Sequence, residues 1–158
     1  MKHWIGIATV GVGLLAFGAQ ARADCGLDQP GASRSIALGP KARKVQVHVP
    51  RGFDPARPAP LVFVLHGSGG TGAEILASSR MAETADRHGF IVVAPDAGIP
   101  VERGFVWNVP GVPTIAGKIP GPEDADDVAF LTATIDQLAS EGCVDPTRVY
   151  AAGLSGGG

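Results

Sequence analysis

Hydrophobic and polar positions change rhythm several times along this chain. "KVQVHVP", Lys44 to Pro50, alternates apolar and polar residues. A period of two predicts a strand with one buried face, and Arg34 to Leu38 reads as a second strand beside it. "LVFVLHG", Leu61 to Gly67, is apolar nearly throughout, as are Phe90 to Ala94 in "GFIVVAPD" and the later "RVYAAG". Such runs predict strands buried on both faces, as in a parallel sheet. Residues 73 to 88 carry a helical pattern, with Ile75, Leu76, Met81 and Ala85 for the inner side. In "DADDVAFLTATIDQLASEG", Val128, Leu131, Ile135 and Leu138 recur at three or four, and Gly142 closes the run. Aspartates crowd its start, where the helix dipole favours negative charge. Residues 97 to 122 read as a loop, long enough to suggest function. Three strands, a helix, a strand, a loop, a helix and a strand predict an α/β domain. Its sheet is mainly parallel with antiparallel N-terminal strands.

The first 23 residues follow a different logic. Lys2 heads an apolar run from Trp4 to Ala19, and Ala21-Arg22-Ala23 gives a small-x-small ending. That layout predicts a signal peptide over 1–23, cleaved on export, which leaves 24–158 as the part that folds. The apolar run is short for a spanning helix, so no stable membrane association is expected after cleavage. The expected location is extracellular or periplasmic.

Composition changes this picture little. The 158 residues are 45% hydrophobic and 18% charged, which suits one globular domain. With a formal net charge of −2 and no basic cluster, nucleic acid is not an expected partner. An exported chain permits a disulfide. Cys25 can pair with Cys143, or either with a cysteine beyond residue 158, and the sequence leaves these open.

Two glycine motifs compete to explain the chemistry. In "HGSGGTG", Gly67, Gly69 and Gly72 fit G-x-G-x-x-G between a strand and a helix, with Asp96 at the end of the next strand. That is close to the dinucleotide-binding pattern, so a cofactor-dependent oxidoreductase is one reading. The second motif, Gly153-Leu154-Ser155-Gly156-Gly157, is a G-x-S-x-G directly behind a buried strand. There a serine sits on a sharp strand-to-helix turn with its hydroxyl clear of the sheet. Acyl transfer also needs donors for the developing oxyanion. One is the N–H of the residue after the nucleophile, and the other comes from a His-Gly loop after an earlier strand. "LHGSGG" is such a loop, so an acyl-transfer site accounts for both glycine clusters. The dinucleotide reading leaves the second unexplained. A third reading keeps the fold as a non-catalytic binding module.

"PLVFVLHGSGG", "GFIVVAPD", the tryptophan of "VWN", "DADDVAFL" and "CVDPTRVYAAGLSGGG" occur here in that order. With these pieces the chain resembles an α/β-hydrolase, in the exported esterase branch that includes poly(3-hydroxybutyrate) depolymerases and feruloyl or acetylxylan esterases. The resemblance implies a serine esterase with no cofactor or metal, acting on a polymeric or small ester. Ser155 is the expected nucleophile, and the Gly156 and Ser68 N–H groups are the expected oxyanion donors, with Gly69 the alternative to Ser68. Trp107 is expected to line the substrate site. His66 is not the expected base, because acid and base follow the nucleophile in chain order; it is expected to brace the oxyanion loop. Both partners are then expected beyond residue 158, which makes this chain the N-terminal part of an enzyme cut at its nucleophile elbow, inactive alone. Asp126 and Asp127, with Glu123 and Asp124 nearby, are expected to serve helix capping and the dipole rather than a metal.

Overall fold

A computed structural model describes residues 25–158, so the predicted leader lies outside the described residues. Strands β1 (Ser33–Leu38), β2 (Arg43–His48) and β3 (Ala59–Leu65) come first. Helices α1 (Gly72–Ser79) and α2 (Met81–His88) lead to β4 (Ile91–Pro95). A two-stranded ribbon follows, β5 (Ile99–Pro100) with β6 (Phe105–Val106). Then come α3 (Asp127–Ser140) and β7 (Val144–Gly153).

The main sheet runs β1-β2-β4-β3-β7. Its first two pairings are antiparallel and its last two parallel, as the switch from alternating to continuous hydrophobicity predicts. Successive side chains on a strand face opposite ways, so the sheet supports two cores. One gathers Val45, Val47, Leu61, Phe63 and Val93 under Phe130 and Leu138 of α3. The other sets Val64, Val92 and Ala94 against Ile75, Leu76 and Ala85 of α1 and α2.

Three local features depart from the sequence pattern. The helix expected over 73–88 breaks at Arg80, which has φ +55°. Ser79 Oγ accepts the Met81 N–H, and the Arg80 guanidinium binds Glu83, so the second helix restarts on its own contacts. In α3, Val128 points outward at 66% exposure, while Asp127, Phe130, Thr134 and Leu138 are buried. Finally, β7 changes register against β3 between Ala59 and Leu61. There Asp145 Oδ1 accepts the Thr147 N–H, the turn bond expected of an aspartate before proline.

A disulfide joins Cys25 to Cys143 and resolves the pairing left open above. It fastens the segment before β1 to the turn between α3 and β7.

Candidate active site

Register decides which loops meet. β3 and β7 are direct parallel neighbours, with Leu65 opposite Gly153. The loops that leave them therefore emerge side by side at the carboxyl edge of the sheet. The first carries His66 to Thr71, and the second Leu154 to Gly158. The Leu154 N–H donates to Leu65 O at 3.1 Å, which ties the two together at their roots.

Ser155 occupies the left-handed region at φ +50°, a conformation that costs a residue with a side chain about 1 kcal/mol. The surrounding glycines let the backbone fold that tightly. A Cβ on Gly153 would lie 1.9 Å from Gly157 O, and one on Gly157 would lie 2.6 Å from both Leu65 O and His66 O. A Cβ on Gly67 would lie 3.4 Å from Ser155 Cβ, and one on Gly156 would lie 3.4 Å from Ser68 N. Ser155, Gly156 and Ser68 are thus brought together, as the two motifs suggest.

The choice between Ser68 and Gly69 as a donor turns on which N–H is free. Gly69 N–H donates to Phe105 O at 2.8 Å, and Gly70 N–H to Gly67 O at 3.0 Å. The Ser68 N–H makes no hydrogen bond among the described residues. The partner of Gly69 lies on β6, and Phe105 N–H returns a bond to Gly70 O at 3.0 Å. The region expected to be plain loop therefore contains a ribbon that pairs with the glycine loop. Gly104 makes the contact possible: its φ is +69°, and a Cβ there would sit 2.4 Å from Gly69 O.

His66 is almost fully buried. Its Nε2 accepts the Ala97 N–H at 3.0 Å, so Nδ1 carries the proton and donates to Gly67 O at 2.8 Å. With its lone pair spent on a backbone N–H, this imidazole cannot also take a proton from Ser155. His48 is equally committed. Its Nε2–H donates to Asp86 at 3.0 Å and its Nδ1 accepts from Ser33 at 2.8 Å, joining β1, β2 and α2. His88 ends α2.

Trp107 departs from its expected role. It is buried, its Nε1–H donates to His66 O at 2.7 Å, and its ring lies 5.0 Å from the His66 ring. It packs beneath the glycine loop and does not line the open cleft. That cleft, about 710 Å³, is bounded by residues 66–70, α1, Arg103, Ile115 and Leu154. Ile75, Val101 and Ile115 are among the residues that line it, as are Glu74 and Arg103, which pair at 3.6 Å.

The acidic run before α3 divides its tasks. Asp126 caps the helix by accepting the Ala129 N–H at 2.8 Å. Asp124 binds Lys118 at 2.8 Å, and Glu123 lies 3.7 Å from the same ammonium. Asp127 does more than serve the dipole. It is buried, pairs with Arg43, and accepts the Asn108 N–H at 2.8 Å. Sequence reasoning missed this pair because Arg43 and Asp127 lie 84 positions apart.

The dinucleotide reading fails on the same kind of detail. Pyrophosphate would need the free N–H groups at the start of α1. There Asp96 Oδ1 accepts the Gly72 N–H at 2.8 Å, and Thr71 Oγ1 accepts the Glu74 N–H at 3.2 Å. The Asp96 carboxylate occupies the place a phosphate would take.

A mixed sheet whose parallel strands deliver a left-handed serine and a glycine loop to one edge is the α/β-hydrolase arrangement. The backbone matches that of an acetyl xylan esterase from Aspergillus awamori with a TM-score of 0.53 at 22% identity, covering 80% of this chain and 43% of that one. In sequence, the chain is 39% identical over 118 residues to feruloyl esterase B of Piromyces equi, covering 73% of this chain and 20% of that protein. It is 35% identical over 112 residues to poly(3-hydroxyalkanoate) depolymerase C of Paucimonas lemoignei, covering 70% of this chain and 24% of that protein. The chain therefore spans a quarter or less of these two relatives. No family model matches it. The chain has the α/β-hydrolase fold and is similar in sequence to esterases of that fold.

Proposed function

We propose that this chain carries the nucleophile and oxyanion hole of an exported serine esterase that works through an acyl-enzyme on Ser155. The observation that carries the reading is the left-handed Ser155 at the end of β7, beside an uncommitted Ser68 N–H. Ser155 Oγ attacks the ester carbonyl, and the oxygen that becomes negative is received by the N–H groups of Ser68 and Gly156. Collapse expels the alcohol and leaves an acyl-serine, which water then hydrolyses. A general base takes the serine proton and passes it to the departing alcohol; in the chain order of this fold the base and its orienting carboxylate follow the nucleophile. The substrates are esters of the kinds the relatives' names describe, polyhydroxyalkanoates or feruloyl and acetyl esters of plant polysaccharide. Export over the 1–23 leader is supported by the Cys25–Cys143 disulfide, since such bonds persist in oxidising compartments.

The test is made on the full-length enzyme with an aryl ester and a fluorophosphonate probe. Ser155→Ala is expected to abolish both turnover and labelling. Retention of both would refute the assignment.

A further inference from the structure

An oxyanion donor works only if its N–H points at the place where charge develops, within about half an ångström. Ser68 N–H belongs to the rigid, planar peptide unit it shares with Gly67 C=O, and in a trans peptide the two bonds point in opposite directions. Whatever holds Gly67 O therefore aims Ser68 N–H. Gly67 O accepts from His66 Nδ1–H at 2.8 Å and from Gly70 N–H at 3.0 Å. The next question is what holds His66.

Its backbone carbonyl accepts the Trp107 indole N–H at 2.7 Å, and its ring lies against the indole. Trp107 is held in turn through its neighbour. The Asn108 N–H donates to Asp127 Oδ2 at 2.8 Å, and Asn108 Nδ2 donates to Ala125 O at 3.0 Å. The other oxygen of Asp127 pairs with Arg43 of β2, whose guanidinium lies 4.0 Å over the Phe130 ring. The Arg43 and Asp127 side chains are 15% and 5% exposed. In a pair this dry, loss of either partner strands a buried charge.

We propose that Asp127 and Trp107 form a relay that sets the direction of the Ser68 N–H, which makes them positioning residues for transition-state stabilisation. The proposal rests on the reading of Ser155 and Ser68 given above. It also gives the buried tryptophan of the long loop a task that packing alone leaves unexplained: its one polar atom is spent on the residue at the root of the oxyanion loop.

The test uses the full-length enzyme with Trp107 replaced by 3-benzothienylalanine, which keeps the bicyclic shape and puts a sulfur without a proton in place of the indole N–H. Trp107→Phe and Asp127→Asn run beside it, and fluorophosphonate titration counts competent sites. For the isostere, kcat per titrated site is expected to fall roughly 10- to 100-fold with KM within about twofold. Affinity for a trifluoromethyl ketone, whose adduct places an oxyanion in the hole, should fall by the same factor. A role in packing alone would lower the melting temperature or the titrated fraction and leave kcat per site untouched. An isostere with kcat per site within twofold of the parent, alongside an inactive Ser155→Ala enzyme, overturns the relay alone. Turnover that survives in Ser155→Ala overturns the Ser155 assignment and the relay with it.

Discussion

Replacing both Cys25 and Cys143 by alanine should cost more stability than any single surface change in this domain. The bridge closes a separation of 118 residues. On the chain-entropy account, opening such a loop restores about 5 kcal/mol of disorder to the unfolded chain, and native disulfides typically contribute 2–5 kcal/mol. Both cysteines are buried, and alanine adds no polar atom at either site. Urea unfolding followed by circular dichroism reads the effect. With a slope of about 2 kcal/mol/M, a loss of about 4 kcal/mol moves the midpoint down by about 2 M. The single variants sharpen the test. Either one breaks the cross-link completely, so each should cost nearly as much as the pair. Additive single losses, or a double variant within about 1 kcal/mol of the oxidised parent, would refute the reasoning.

Two further predictions rest on close approach and on charge. Gly72→Ala would place a Cβ 2.0 Å from Ala94 O, which is backbone of β4. About 3 kcal/mol of destabilisation in urea is expected, and a loss under about 1 kcal/mol would show that α1 can back away from the sheet. At acid pH, hydrogen bonds from the Thr147 hydroxyl, the Arg148 guanidinium and the Thr147 N–H lower the Asp145 carboxyl to about 2. Burial pushes the Asp86 carboxyl up, but bonds from His48 and Arg51 outweigh it and leave it below the ordinary carboxylate value. Both groups are depressed on folding, so their stabilisation is complete above the ordinary value of 3.8 and fades as pH falls toward the folded values. A carboxyl-carbon NMR titration of Asp145 with its midpoint near 3.8 would contradict the depressed value.

The main strands and the position of Ser155 were legible because they rest on local pattern. Continuous apolar runs marked β3 and β4 correctly as buried strands, but "RVYAAG" in β7 is exposed from Tyr150 to Gly153, because β7 stands at the edge of the described sheet. The serine between glycines behind it still needs a sharp turn. The break at Arg80 was harder to see. It comes from serine hydroxyls competing for backbone groups, and the apolar spacing on either side continues almost unchanged. Val128 satisfies the spacing of α3 and still faces outward, because the buried face also holds Asp127 and Thr134, polar residues that no hydrophobic count includes. Trp107 shows the limit most clearly. A tryptophan in a long loop suggests a ligand site until its indole N–H is seen on a carbonyl 41 positions earlier in the chain.

The glycines at the meeting of the two loops also bear on how this protein can be altered. The obstacles beside Gly153 and Gly157 are carbonyls of the main chain. No second substitution can trim a backbone oxygen, so a harmful change at these positions has no compensating partner among the side chains. Variation there is a dead end for natural drift and for directed evolution alike. The open cleft differs, since Ile115, Glu102 and Arg103 border it and carry side chains that a neighbour can accommodate. A library meant to keep the fold intact belongs on those cleft residues, with the glycine junction left untouched.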